Sequence, residues 1–155
     1  MTPIDRLVAI DAIQQLKARY FRTMDLRDWD GFAQVFARDG IFDFSEGMRI
    51  TPLGQPTEGP IGPVTRGREA IKAWVTAAYA DTTAVHHGHC HEITIDSDTE
   101  AHGVIALEGW ARGPDRTTKL LRTRGHYHER YIFEDDAWRI AETRLTMLFT
   151  GPDTE

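Results

Sequence analysis

The apolar positions follow a helical period in the first half of the chain and a strand period in the second. Ile13, Leu16, Tyr20 and Met24 recur at three- and four-residue spacing, which predicts a first helix running to about Met24. Thr2-Pro3 reads as its N-cap and first turn, with Asp5 placed at the positive end of the dipole. Asp28 caps a predicted short second helix whose apolar side includes Trp29, Phe32, Val35 and Phe36. Asp39-Gly40 ends that helix and opens a strand over Ile41–Phe44. A third helix is expected from Arg68 to about Ala80, with Ile71, Trp74, Val75 and Ala78 inward. From Val85 onward the period is that of strands. Long strands are expected from Val85 through Ile95, over Val104–Trp110, over Thr117–Phe133 and over Trp138–Phe149. The turns between them fall at Asp96–Asp98, Gly113–Asp115 and Glu134–Asp136. Helices first and an antiparallel meander afterwards predict an α+β fold, with helices packed on one face of a strongly curved sheet.

Residues 47–66 break both periods. They hold Gly47, Pro52, Gly54, Pro56, Gly59, Pro60, Gly62 and Pro63, so a long connection is expected here. A lid over a binding site and a hairpin tip fit this composition equally well.

Composition narrows the functional classes. A chain of 155 residues can bury a sizeable core as one domain, taken as residues 1–155. The net charge of −6 speaks against nucleic acid as a partner. The most basic stretch, Lys119 to Arg130, is interrupted by Gly125, Tyr127 and Glu129 and reads as a mixed sheet face. No apolar run reaches membrane-spanning length, so no membrane partner is expected. The one cysteine, Cys90, has no partner for a disulfide, and cytoplasmic residence is the default expectation. Neighbouring histidines could make Cys90 a thiolate nucleophile. A small strand residue is the simpler reading.

Two stretches carry candidate chemistry. The first is Tyr20–Asp25, at the end of the first helix. A buried phenol needs a hydrogen-bond partner, though a core tyrosine needs no function. Asp25 lies about 140° around an ideal helix from Tyr20, so both reach one cavity only if the helix ends or bends between them. The second stretch is Val85-His-His-Gly-His-Cys-His91. In an unbroken strand His87, His89 and His91 share the face of Ile93 and Ile95, with His86 and Cys90 opposite. Three readings stay open: a zinc site, a surface or interface cluster, or imidazoles facing a cavity as acid/base groups. No carboxylate or thiolate with regular spacing completes a zinc site, so neither metal nor cofactor is expected. Arg144 shares a face with Trp138 and Ile140 if no bulge intervenes, and an inward arginine is costly unless it meets an anion. His126, His128 and Arg130 alternate with Tyr127, Glu129 and Tyr131, and only one of these sets can line a pocket.

Arg19-Tyr-Phe-Arg-Thr-Met-Asp-Leu-Arg-Asp-Trp-Asp30, His86-His-Gly-His-Cys-His-Glu-Ile-Thr-Ile-Asp-Ser97, Tyr127-His-Glu-Arg-Tyr131 and Trp138-Arg-Ile-Ala-Glu-Thr143 together resemble the SnoaL-like branch of the nuclear transport factor 2-like superfamily. Within that superfamily the motifs look most like bile acid 7α-dehydratases. Scytalone dehydratases, hexachlorocyclohexane dehydrochlorinases and ketosteroid isomerases are looser likenesses. The resemblance covers nearly the whole chain except residues 47–66. It implies a cone-shaped, curved antiparallel sheet with three helices of the N-terminal half on its concave face (cystatin-like).

The resemblance also implies a cofactor-independent lyase or isomerase that abstracts a proton next to a carbonyl of a hydrophobic cyclic, steroid- or polyketide-like substrate. The dehydratase pattern puts the phenol at Tyr20, the carboxylate at Asp25 and the imidazole at His86. The dehydrochlorinase arginine falls close to Arg144, whereas the dehydratase arginine falls near Met147. The dehydratase aspartate on the second long strand falls at Gly109, next to Glu108, and that departure argues against bile acids. Trp29, Phe42, His89, Glu108 and Trp110 are the expected substrate-contacting positions. Turning His86 into the cavity requires a β-bulge near Gly88, and without one His89 takes its place. The alternatives are a non-catalytic binder of small hydrophobic ligands and an accessory β subunit of a ring-hydroxylating dioxygenase. A homodimer or homotrimer through the outer sheet face is the expected assembly.

Overall fold

In the computed structural model the described residues are 1–47, 61–113 and 121–152. Helix α1 spans Pro3–Leu26, α2 Trp29–Ala33 and α3 Arg68–Ala78. Strands β1 (Phe36–Asp43), β2 (Val64–Arg66), β3 (Thr83–Ile95), β4 (Glu100–Arg112), β5 (Leu121–Glu134) and β6 (Ala137–Pro152) form one sheet in the order β2-β1-β6-β5-β4-β3. The expected α+β architecture, helices against one face of a curved sheet, is the architecture found.

The sheet is not wholly antiparallel, because β1 runs parallel to β6. Strand β1 also begins earlier than the apolar pattern implied. Val35 and Phe36 leave the expected helix because the Val35 carbonyl accepts from the Ile140 N–H at 2.9 Å, so pairing with β6 takes over where α2 stops. The short β2 was not anticipated; it pairs with β1 just outside the Gly/Pro-rich segment. The two ends of that segment are closed by Phe44–Pro63 and Ser45–Gly62 backbone bonds. Of the lid or hairpin tip expected over residues 47–66, residues 48–60 lie outside the described residues.

Helix α1 is capped as its sequence implied: Thr2 Oγ1 accepts from the Asp5 N–H at 3.2 Å, and the Asp5 carboxylate accepts from the Thr2 N–H at 2.7 Å. Three ties then lay α1 along β3 and the turn that precedes it. Arg6 donates to the Ile95 carbonyl at 2.9 Å. Phe21 packs so close to Gly88 that a Cβ there would sit 2.6 Å from its ring. Arg27, the left-handed C-cap, donates to the Ala80 and Thr82 carbonyls at 3.1 and 2.6 Å. Ile13, Leu16, Tyr20 and Met24 are buried against Ile71, Val75, Ile105, Tyr127 and Ile140. Ile71 and Val75 carry the buried face of α3, Trp74 is half-buried, and Ala78 is exposed rather than inward.

Three bulges set which side chains face the helices. On β3, Cys90 and His91 together oppose Ile105, and Cys90 adopts φ 49°. On β6, Ala141 and Leu148 are the extra residues, at the register shifts opposite Arg130/Tyr131 and Arg124/Gly125. Each bulge inverts the alternation beyond it. Trp138 and Ile140 are therefore buried on one side of Ala141, and Thr143, Leu145 and Met147 on the other.

Candidate active site

A cavity of about 90 Å³ lies between α1 and the inner face of the sheet. Tyr20 and Met24 line it from α1, Phe42 and Phe44 from the end of β1, and Tyr79 from just beyond α3. The sheet contributes His86, Leu107, Trp110, Thr123, Tyr127, Leu145 and Met147. The lining is mostly apolar with a few convergent polar groups, as ligand pockets usually are.

The bulge at Cys90–His91 decides which imidazole enters. Ahead of it the even positions His86 and Gly88 face α1, and beyond it Ile93 and Ile95 do. The bulge falls just after His89, slightly later than the expected position near Gly88. His86 opposes Gly109 on β4, where a Cβ would approach the ring at 3.3 Å; the missing side chain gives the imidazole room.

His86 Nδ1 lies 2.7 Å from Asp25 Oδ1, and the His86 N–H donates to Asp25 Oδ2 at 3.1 Å. Both carboxylate oxygens are thus spent on one residue. With Nδ1 held by Asp25, Nε2 has no hydrogen-bond partner among the described residues. The two side chains are mostly shielded, 13% and 21% exposed. Helix α1 does not end between Tyr20 and Asp25 but runs on to Leu26. Tyr20 lines the cavity directly, while Asp25 approaches His86 from the flank of the helix.

Three phenols share the cavity lining with the imidazole. Tyr79 packs edge-on to His86, with ring centroids 6.2 Å apart. Tyr20 and Tyr127 meet edge-on at 5.7 Å. Burial, followed by the Asp25 charge, pushes the Tyr79 hydroxyl up to about 12. Burial also raises Tyr20 and Tyr127 well above the usual phenol range; nearby phenols and Glu129 add to the rise, while the hydrogen bond between the two phenols raises Tyr20 further and pulls Tyr127 partly back. All three therefore stay protonated, as hydrogen-bond donors, at neutral pH.

Behind Tyr20 and Tyr127 lies an ion pair that the sequence reading missed. Lys17 Nζ is 2.6 Å from Glu129 Oε1, and both side chains are fully buried. Tyr131 and Thr143 also donate to the Glu129 carboxylate, at 2.6 and 2.8 Å. Burial pulls Lys17 down to about 8, against the opposing pull of Glu129. On β5 the inward set is thus Tyr127, Glu129 and Tyr131, which settles the alternation left open by the sequence.

Of the nine expected site residues, the cavity gathers Tyr20, His86, Phe42 and Trp110, with Asp25 bonded to His86. The other four are corrections. Arg144 is exposed on the outer face beside His128, because the Ala141 bulge turns Thr143 and Leu145 inward instead. His89 and Glu108 also point outward, 3.9 Å apart, and Glu108 pairs with Arg124 at 3.3 Å. Trp29 packs against Phe32 and Tyr79 rather than lining the cavity. Cys90 is exposed on the bulge. Among the described residues no cluster of three His, Cys, Asp or Glu is arranged to hold a metal ion, and no helix is long and apolar enough to cross a membrane.

Residues 5–144 match the family model described as the SnoaL-like domain. The chain belongs to the SnoaL-like family. A scytalone dehydratase-like protein from Novosphingobium aromaticivorans shares 17% identity, with 99% of this chain and 93% of that chain covered and a TM-score of 0.77. A hexachlorocyclohexane dehydrochlorinase from Novosphingobium barchaimii LL02 shares 16% identity over 97% and 94% of the two chains, with a TM-score of 0.76. At that identity both likenesses establish the fold. A protein of unknown function from Mycobacterium tuberculosis, solved as an aspartate-to-asparagine variant, is 28% identical over 95% of this chain and 76% of its own, with a TM-score of 0.73.

Proposed function

We propose that this SnoaL-like protein is a cofactor-independent lyase or isomerase that removes a proton next to the carbonyl of a hydrophobic cyclic substrate. One observation carries the reading: an imidazole oriented by a carboxylate at 2.7 Å lines an apolar cavity together with protonated phenols, and its Nε2 has no hydrogen-bond partner among the described residues. Nε2 of His86 takes the proton, and the electron pair moves onto the carbonyl oxygen. Tyr20 and Tyr127 donate hydrogen bonds to that oxygen as its charge grows. Asp25 holds the ring and stabilises the imidazolium without itself leaving the carboxylate form.

Collapse of the enolate then completes the reaction in one of two ways. The imidazolium protonates a different carbon and the double bond shifts, or it protonates a departing hydroxyl and water leaves. The same His86 serves both half-reactions, so proton removal and delivery are expected on one face of the substrate.

The cavity volume limits what enters. An apolar cavity of about 150 Å³ holds benzene, whereas this one measures about 90 Å³. The edge of one ring fits against His86, and the remainder of a steroid- or polyketide-like substrate would extend past Phe44, Trp110 and Leu121. Gly109 stands where the bile acid dehydratase pattern has an aspartate, so a bile acid is not the substrate proposed.

The test needs no knowledge of the natural substrate. Cyclic enones and β-hydroxy ketones are incubated with the protein in deuterium oxide, and exchange at the carbon next to the carbonyl is followed by proton NMR. The reading expects exchange that His86→Ala abolishes. A panel on which wild type and His86→Ala are indistinguishable would leave the fold as a binding protein only.

A further inference from the structure

The buried ion pair behind the cavity takes no part in the reaction as described, and its geometry is directional. Glu129 is fully occupied on its own side, by Tyr131 at 2.6 Å, Thr143 at 2.8 Å and Lys17 at 2.6 Å. The ammonium, besides its bond to Glu129, lies against two rings. Lys17 Nζ lies 3.7 Å from the ring centroid of Tyr20 and 3.5 Å from that of Tyr127, the two phenols that line the cavity from α1 and β5. Phe21 closes the remaining side at 4.9 Å.

We propose that Lys17 is a positioning residue for the active site: held by Glu129 and stacked on the faces of Tyr20 and Tyr127, its ammonium strengthens both phenols as hydrogen-bond donors to the substrate oxygen. The inference rests on the reading of those phenols as the groups that bind that oxygen. A cation over an aromatic face draws ring electron density toward itself. In a phenol this makes the hydroxyl proton more positive. The ion pair is neutral overall, yet its ammonium is the end that lies against the two phenols of the cavity wall, and in a water-excluded interior such a fixed dipole acts at short range with little screening. A purely structural role would not require this arrangement, because well-packed apolar side chains often replace a buried ion pair without loss of stability. Stacking on both phenols also fixes their ring planes, which holds the two hydroxyls in one geometry.

The experiment reads donor strength directly. A carbonyl-labelled cyclohexenone is bound to the protein, and its C=O stretching frequency is measured by infrared difference spectroscopy. Wild type is expected to lower that frequency well below its value in water. Lys17→Met alone strands a buried carboxylate, so the informative variant is Lys17→Met/Glu129→Gln, checked for native fold by circular dichroism. It is expected to lose at least half of the frequency lowering. Lys17→Arg, which keeps the charge, is expected to restore most of it. An unchanged frequency in the double variant overturns the role of Lys17 while leaving the phenols in place. A frequency that is also unchanged in Tyr20→Phe and Tyr127→Phe, or the absence of any bound carbonyl band in wild type, overturns the reading of the phenols beneath it.

Discussion

Replacing Asp25 with asparagine is expected to silence His86 by turning its tautomer, with little effect on the fold. In the native site the carboxylate accepts twice, from the His86 backbone N–H at 3.1 Å and from ring Nδ1–H at 2.7 Å. The neutral ring therefore carries its proton on Nδ1 and presents a lone pair at Nε2. An asparagine has only one acceptor oxygen. If that oxygen stays on the backbone N–H, its amide group faces Nδ1 as a donor, and the ring proton must move to Nε2. The opposite amide orientation sets two donors against each other at the backbone and is disfavoured. The cavity would then meet an N–H where proton abstraction needs a lone pair. Losing a general base costs about 10²–10⁴ in rate, or roughly 3–5 kcal/mol of barrier. The fold should lose only about 1–2 kcal/mol, the difference between a charged and a neutral acceptor. Long-range proton–nitrogen correlation on histidine-labelled protein reads the tautomer without any substrate. Nε2 should be unprotonated in neutral wild-type His86 and protonated in Asp25→Asn. A wild-type ring already protonated at Nε2, or an Asp25→Asn ring that keeps the native tautomer, would refute this reasoning.

Lys17→Met should destabilise the protein by about 3–5 kcal/mol because it leaves Glu129 buried and unpaired; urea denaturation should show the double variant Lys17→Met/Glu129→Gln recovering much of the loss. A pH series on wild type should show stability rising from about pH 8 towards 10, since Lys17 titrates at about 8 when folded but near 10.5 when unfolded, and between those values the unfolded chain binds more protons. That contribution is on the order of 3 kcal/mol. It is opposed above about pH 10, where Tyr20, Tyr79, Tyr127 and Tyr131, all raised in the fold, begin to ionise only in the unfolded chain. A urea midpoint that falls steadily from pH 8 upward would contradict the assignment. Gly88→Ala should cost about 1–3 kcal/mol by overpacking, because its Cβ would lie 2.6 Å from Phe21 and 3.0 Å from Ile105; thermal unfolding measures the loss, and an unchanged midpoint would mean that α1 does not press on β3 there.

The elements were legible in the sequence because local signals are strong where they begin and end. Thr2 and Asp28 mark helix starts, and the turns at Asp96 and Asp136 mark strand ends. Pairing partners were less visible, since the parallel contact of β1 with β6 joins segments about a hundred residues apart. The faces of long strands were ambiguous for a more specific reason. Alternation assumes an unbroken strand, and one extra residue at Ala141 was enough to move Arg144 from the cavity to the outer face. The same effect on β3 chose His86 over His89. Lys17 and Glu129 did leave a trace: Lys17 sits on the stripe of Ile13 and Tyr20, and Glu129 stands between two tyrosines. A charge on each of two apolar faces was the available clue to a buried pair. Tyr79 left no such signal, because it follows the last turn of α3 and owes its place to the chain path there.

The ties made by Arg27 have a consequence for how this site can diversify. Asp25, the Arg27 cap, the carbonyls of Ala80 and Thr82 and His86 form one short closed frame. Tyr20, Tyr127, Lys17, Glu129, Tyr131 and Thr143 form another. The cavity is the gap between the two frames, bridged by apolar side chains such as Leu107, Leu145 and Met147. Exchanging those spacers would resize the gap while each frame keeps its internal distances, so on the proposed reading the breadth of substrate can change without touching the groups that move the proton.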